Sequence, residues 1–246
     1  MVNKWARLNE SYWPATNCTA LVPIETNYTL GNTLGLPRLS KFIRDITYIN
    51  FFVLALLIGV MLGGGHLRKW NTSASFVFKQ SIINFHFFWD VFIHLIHYVA
   101  SMPSIVKEIL NGKAYYNTVL NTRNYPVFLF LYDLFYLNGV KIVSPEIFHF
   151  FTPVSLAYWI MSDGVSSRYG LILCTNSKTI QEIVLLINIL IIKYDLNCTI
   201  HKSNKNYRIY IKADSMAKLH KIVDPFILPL FAYKLRKGAR YAKKFF

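Results

Sequence analysis

The stretch Leu156-Ala157-Tyr158-Trp159-Ile160-Met161-Ser162-Asp163-Gly164 is an apolar helical run that stops on a carboxylate and a glycine. A degraded copy stands upstream as Leu57-Ile58-Gly59-Val60-Met61-Leu62-Gly63-Gly64-Gly65. The two differ most at their ends, where Asp163 of the second run is matched by Gly64 of the first. An internal repeat of this kind predicts two similar halves that each open on an apolar helix, with one acid kept and one lost.

Outward from the first run, Ile46 to Gly65 is apolar over about the twenty residues that a bilayer-spanning helix needs. Asn50 within it and three glycines at its end fit a buried core helix equally well, and the repeat favours that reading. The chain has 246 residues, 54% of them hydrophobic, enough for one domain with a sizeable core or two small ones. A net charge of +15 favours a polyanionic partner, either nucleic acid or an anionic membrane surface. Cys18, Cys174 and Cys198 are too scattered for a disulfide framework or a cysteine-rich zinc site, as expected of a reducing compartment. His94 and His97 share a helix face near His86, but no acidic or cysteine companion stands at ligand spacing.

Residues 1–48 read as an irregular basic extension broken by Pro14, Pro23, Gly31, Gly35 and Pro37. The extension lacks the layout of a signal peptide, and Glu10 is out of place in a mitochondrial presequence. Its Asn-X-Ser/Thr triplets at Asn9, Asn17 and Asn27 read as chance in so asparagine-rich a chain. The Asn, Ile, Lys, Tyr and Phe usage is what an AT-rich genome produces. In the first half, strands are expected at 75–81 and 114–123, and helices at 85–98 and 126–136, the last closed by Asn138-Gly139. In the second, a strand at 170–177 precedes a helix at 179–194. A hairpin at 197–212 and a helix capped by Asp214 follow.

Thr152-Pro153-Val154-Ser155 leading into Leu156 to Gly164 resembles the second signature of the single-chain LAGLIDADG homing endonucleases and maturases. Thr175-Asn176-Ser177, Leu196-Asn197-Cys198, Tyr207 to Ile211 and Tyr233-Lys234-Leu235 continue the likeness in family order. Leu57 to Leu67 resembles the first signature, and Asn138 to Val143 the link between halves, so the match runs from about Asn50 to Leu235. The resemblance implies an α+β, pseudo-twofold saddle of two αββαββα-type halves, 49–150 and 151–235, joined at two central helices, with a basic tail at 236–246. Small residues such as Gly59 and Ala157 would let those helices approach. Their terminal acids would hold Mg²⁺ against the scissile phosphates, where metal clamps attacking and leaving oxygens.

Carried over by position, Asp163 matches one metal-binding acid, Gly64 replaces its partner, and Ser162 replaces a frequent neighbouring Asp. Lys141 and Lys234 match basic residues near the cleavage centre. Losing one such electrostatic element costs about 3 to 4 kcal/mol, or 10²-fold or more in rate. These catalytic positions therefore read as vestigial, and Asp163 as a metal ligand only in an active enzyme.

The binding surface reads as intact. Alternation places Arg208, Tyr210 and Lys212 on one strand face with Thr199 and His201 beside them. Lys79, Ser81, Asn117, Asn121 and Arg123 are the first half's counterparts. Such faces read as solvated surface or as nucleic-acid contacts, and the resemblance favours the second. Arg236, Lys237, Arg240, Lys243 and Lys244 extend the basic surface. Together these features predict an RNA-binding protein of the mitochondrial matrix, with no membrane span and no cofactor. It would serve in a large ribonucleoprotein such as the mitochondrial ribosome, or as an intron maturase. The alternative is an intron-encoded homing endonuclease or nickase that cleaves DNA with Mg²⁺.

Overall fold

A computed structural model describes residues 33–203 and 206–236. The elements are α1 (Lys41–Ile46), α2 (Phe51–Leu62), β1 (His66–Lys69), β2 (Ala74–Ser81), α3 (Phe85–His94), β3 (Ser104–Leu110), β4 (Lys113–Asn121) and α4 (Phe128–Phe135). A short hairpin, β5 (Tyr136–Leu137) and β6 (Val140–Lys141), and α5 (Ile147–Phe150) lead to the second half. That half contains α6 (Pro153–Asp163), β7 (Gly164–Ser166), β8 (Leu171–Cys174), α7 (Ile180–Tyr194), β9 (Cys198–Ser203), β10 (Asn206–Ile211) and α8 (Met216–Val223). Each half carries a four-stranded antiparallel sheet, ordered β1-β2-β4-β3 in the first and β7-β8-β10-β9 in the second. The order is the same in both, as the repeat predicts.

The apolar segment from Ile46 to Gly65 contains α2, the core helix the repeat favoured, which covers about 18 Å at 1.5 Å per residue. No helix among the described residues is long and apolar enough to cross a membrane. α2 is apolar all round because it is buried all round, with Val53 and every residue from Ala55 to Leu62 out of solvent. Asn50 starts it by accepting from the Val53 amide at 2.8 Å. α6 is started by Thr152 and Ser155 in a reciprocal capping box, with Pro153 in its first turn.

The two motif helices lie in close contact around Gly59. A Cβ there would stand 2.4 Å from the Ser155 carbonyl oxygen and 2.8 Å from Tyr158 Cβ. One turn earlier, the buried Ser155 hydroxyl donates to the Ala55 carbonyl at 2.8 Å, tying helix to helix. A second buried link joins Tyr158, whose hydroxyl donates to Asp90 on α3. The core spreads from these helices to one face of each sheet. Phe76 and Phe78 meet Phe87 and Phe88 in the first half, and Leu171, Leu173, Ile209 and Ile211 lie under Ile183, Leu186 and Leu190 in the second.

Several local expectations need amendment. The helix expected over 85–98 stops at His94 and resumes as a 3-10 turn, and β1, β3 and β7 are strands that the sequence reading did not separate. Within the stretch read as irregular, residues 41–46 are helical, capped by the Ser40 hydroxyl. Asp214 does not cap α8, whose first turn follows Ser215 without a side-chain cap. Its carboxylate instead accepts from Asn197 Nδ2 at 2.9 Å and Ser215 Oγ at 3.0 Å. Among the described residues no group of three His, Cys, Asp or Glu could hold a metal ion. His94 Nδ1 lies 2.8 Å from the Asp90 carbonyl.

Candidate nucleic-acid interface and the helix-end floor

The C-terminal ends of α2 and α6 meet at one place. A Cβ on Gly63 would come within 2.2 Å of Ser162 Oγ and 3.4 Å of Asp163 Cγ, so the ends are in contact. Gly64, one residue on, has nothing within 4 Å of such a Cβ and has no left-handed φ. A Cβ there would meet nothing, so the glycine is not a demand of close packing or of the backbone.

Asp163 accepts from Ser162 Oγ at 3.1 Å. Burial raises its pKa, opposed by the Ser162 hydrogen bond and then by Lys178, Lys234 and Lys141. The three lysines are spread over the two helix ends. Lys141, placed by the β5-β6 hairpin, donates to the Gly65 carbonyl at 2.6 Å and to that of Gly63 at 3.4 Å. The hairpin turns on Asn138 and Gly139, both at positive φ, as a two-residue turn of the type that favours Asn-Gly. Lys234 donates to the carbonyls of Met161 at 2.5 Å, Ile160 at 3.3 Å and Ser162 at 3.4 Å. Burial pushes both ammonium groups down to about 8, with the nearby Lys178 charge adding to the effect at Lys141.

The third lysine, Lys178, was not singled out from sequence. It precedes α7 in the second half, and its Nζ donates to the Leu62 carbonyl of the first half at 2.9 Å. Burial lowers its pKa, while Asp163 and Glu182 act in the other direction. Its local signal was the Thr179–Glu182 capping box, which fixes the loop just before the helix. Nothing local says that this loop reaches across to α2.

These placements bear on the Mg²⁺ that the resemblance implies. Mg²⁺ takes oxygen ligands in near-octahedral array and usually one or two carboxylates. Here one carboxylate faces three ammonium groups, and lysines already bind the carbonyls of Leu62, Gly63, Gly65, Ile160, Met161 and Ser162. The donor set and its charge do not fit a divalent metal centre.

The sheets' outer faces follow from register. On the first sheet, Lys79 pairs with Val119, Ser81 with Asn117 and Val77 with Asn121. Lys79, Ser81, Asn117 and Asn121 therefore share the face opposite core residues Phe76, Phe78 and Leu120. His66 and Arg68, opposite Val77 and Ser75, belong to that face too and were not anticipated. Lys79 is ion-paired to Glu108, which also accepts from Asn117 Nδ2 at 3.0 Å. On the second sheet Arg208 lies opposite His201 and Tyr210 opposite Thr199, all on the face away from Ile209 and Ile211. Tyr210 stacks on His201 with ring centroids 4.4 Å apart, and exposed Lys212 follows β10.

Arg123 is placed elsewhere: its guanidinium bonds the carbonyls of Thr33, Leu36 and Pro37 at 3.1, 2.7 and 3.1 Å, holding the segment before α1. Arg236 is exposed, and Lys237, Arg240, Lys243 and Lys244 lie outside the described residues. So do the triplets at Asn9, Asn17 and Asn27.

Residues 54–219 match the model of the LAGLIDADG DNA endonuclease family. The chain is 31% identical over 207 residues to the cytochrome b mRNA maturase bI2 of Saccharomyces cerevisiae, a match covering 78% of this chain and 49% of that protein. It thus spans about half of that relative's length. It is 31% identical over 216 residues to a probable intron-encoded endonuclease 1 of Wickerhamomyces canadensis, covering 82% of this chain and 93% of that one. Among solved structures, the homing endonuclease I-WcaI bound to its DNA recognition sequence superposes with a TM-score of 0.77 at 27% identity, over 85% of this chain and 99% of that one.

Proposed function

The chain belongs to the LAGLIDADG DNA endonuclease family, and we propose that it is a maturase-type member, an RNA-binding intron-splicing factor that has lost double-strand cleavage. The observation that carries this reading is the helix-end floor. Gly64 stands where the resemblance places an acid, on a backbone with room for one, and the remaining Asp163 is surrounded by lysines. The outer sheet faces keep a basic and aromatic surface suited to following phosphates and stacking bases.

RNA is favoured over DNA because cleavage of DNA needs the chemistry that the floor lacks, whereas RNA binding needs only the surface. Between the two RNA roles, relatives named as mRNA maturases favour intron splicing over a structural place in the mitochondrial ribosome. The cytochrome b message in those names, with the mitochondrial type of the resemblance, supports action in the mitochondrial matrix.

A second reading has its own support. The probable intron-encoded endonuclease is matched over 93% of its length, and Asp163 is retained, so the runner-up is a nickase. Incubating the purified protein with intron-containing precursor RNA, and separately with the matching intronless DNA, decides between them. Faster splicing with intact DNA is expected. A DNA nick that Asp163→Asn abolishes would establish the nickase instead.

A further inference from the structure

We propose that Lys178 is a built-in cation at the helix-end floor, and that with Lys141 it lets the floor receive a nucleic-acid phosphate without a divalent metal. The inference rests on the loss of metal-dependent cleavage proposed above. The starting point is how positive charge is distributed. The half of the floor that lacks a carboxylate, the end of α2, receives two of the three lysines, on the Leu62 carbonyl at 2.9 Å and the Gly65 carbonyl at 2.6 Å. Lys178 comes from the opposite half, so its ammonium crosses to the carbonyl end of α2 and there adds positive charge that acts on the Asp163 carboxylate of α6.

The lysines differ in what they can still bind. An ammonium has three donors. Lys234 spends its donors on three carbonyls of α6 and is a helix cap. Lys178 has Leu62 as its side-chain acceptor, which leaves donors for a phosphate oxygen. Its backbone is held beforehand. The Lys178 amide bonds the Thr175 carbonyl at 3.1 Å, Thr175 Oγ1 bonds the Tyr207 carbonyl at 2.7 Å, and Thr179 starts α7 at the next residue. A cation fixed in this way needs no loading step and does not respond to chelators.

Two measurements test this on the full-length protein. The first is Mn²⁺ titration by electron paramagnetic resonance without any nucleic acid. No Mn²⁺ site is expected at or below about 1 mM, the weak end of oxygen-ligand cation sites. The double variant Gly64→Asp with Lys178→Met is expected to gain one. A sub-millimolar site in the unaltered protein that Asp163→Asn removes would overturn the proposal.

The second is affinity for a structured RNA and for a random-sequence DNA duplex at matched ionic strength. Affinities in EDTA and in Mg²⁺ should agree within about twofold, and Lys178→Met should reduce the salt slope by about 0.9, one phosphate contact. An unchanged slope refutes the phosphate contact, and Lys178→Arg should retain it. Because the Mn²⁺ titration contains no nucleic acid, its failure leaves RNA binding standing. Conversely, failure of the unaltered chain to bind RNA would sink the maturase reading and leave the metal result intact.

Discussion

Replacing each floor and motif glycine with alanine should separate positions that the fold requires from the one it merely tolerates. At Gly59 the new Cβ would be 2.4 Å from the Ser155 carbonyl oxygen, where C···O contacts are ordinarily about 3.3 to 3.6 Å. The shortfall is about 1 Å, and the opposing atoms are backbone and a Cβ, neither of which can swing aside. The helices must separate, and the Ser155–Ala55 hydrogen bond stretches with them. Overpacking costs about 1 to 3 kcal/mol and a lost buried hydrogen bond about 1. Reduced unfolded-state freedom returns about 0.4 to 1. The net is a loss of about 1 to 3.5 kcal/mol, or about 2 to 14 °C in Tm for a chain of this size.

At Gly64 no neighbour lies within 4 Å, so only the favourable part remains and Gly64→Ala should be neutral or stabilising by up to about 1 kcal/mol. Urea and thermal unfolding of the two variants and the parent measure this. Equal destabilisation of both, or a neutral Gly59→Ala, would refute the packing account.

Charge burial makes further predictions. Burial raises the Asp90 carboxyl above its ordinary 3.8, so the native state holds that proton more tightly than the unfolded chain. Its stabilising contribution is full at low pH and fades as pH rises through the native value. Asp90→Asn keeps an acceptor for Tyr158, and should gain stability relative to the parent between pH 3 and 7 in urea titrations. Lys234, pushed by burial from 10.5 to about 8, titrates in the native state before the unfolded chain does. Stability should therefore rise between about pH 8 and 10.5, and Lys234→Met should flatten that rise in the same titrations. On the sheets, Arg208→Ala should lower the salt slope of RNA binding by about 0.9, as measured by fluorescence anisotropy across a salt series. Lys79→Ala should change it by less than half as much because Glu108 already neutralises Lys79.

What could be read from sequence was what is written locally and periodically. Thr152 to Gly164 carries a cap, an apolar run and a stop in consecutive residues, and β10 alternates cleanly, so both emerge as expected. β1 has one buried residue, Leu67, and β3 is mostly exposed along its length, so neither has a two-residue hydrophobic rhythm to detect. β3 is a strand because β4 supplies its hydrogen bonds across the Asn111–Gly112 turn, a pairing that its own composition does not announce. The partners of Arg123 and Lys178 were hidden for the same reason. A cation's partner is a backbone carbonyl that can lie anywhere in the chain, and carbonyls leave no trace in side-chain sequence.

The two sheets repeat each other in strand order but not in charge. One carries His66, an exposed Arg68 and a lysine already answered by Glu108, the other an arginine, a stacked histidine-tyrosine pair and an exposed lysine. A nucleic acid laid across them would meet different side chains at its two ends, so turning it around changes the contacts it makes. Duplicated architecture here does not call for a palindromic target. If the chain binds as proposed, its two halves offer a target different side chains at either end, a polarity that no symmetric dimer of either half could express.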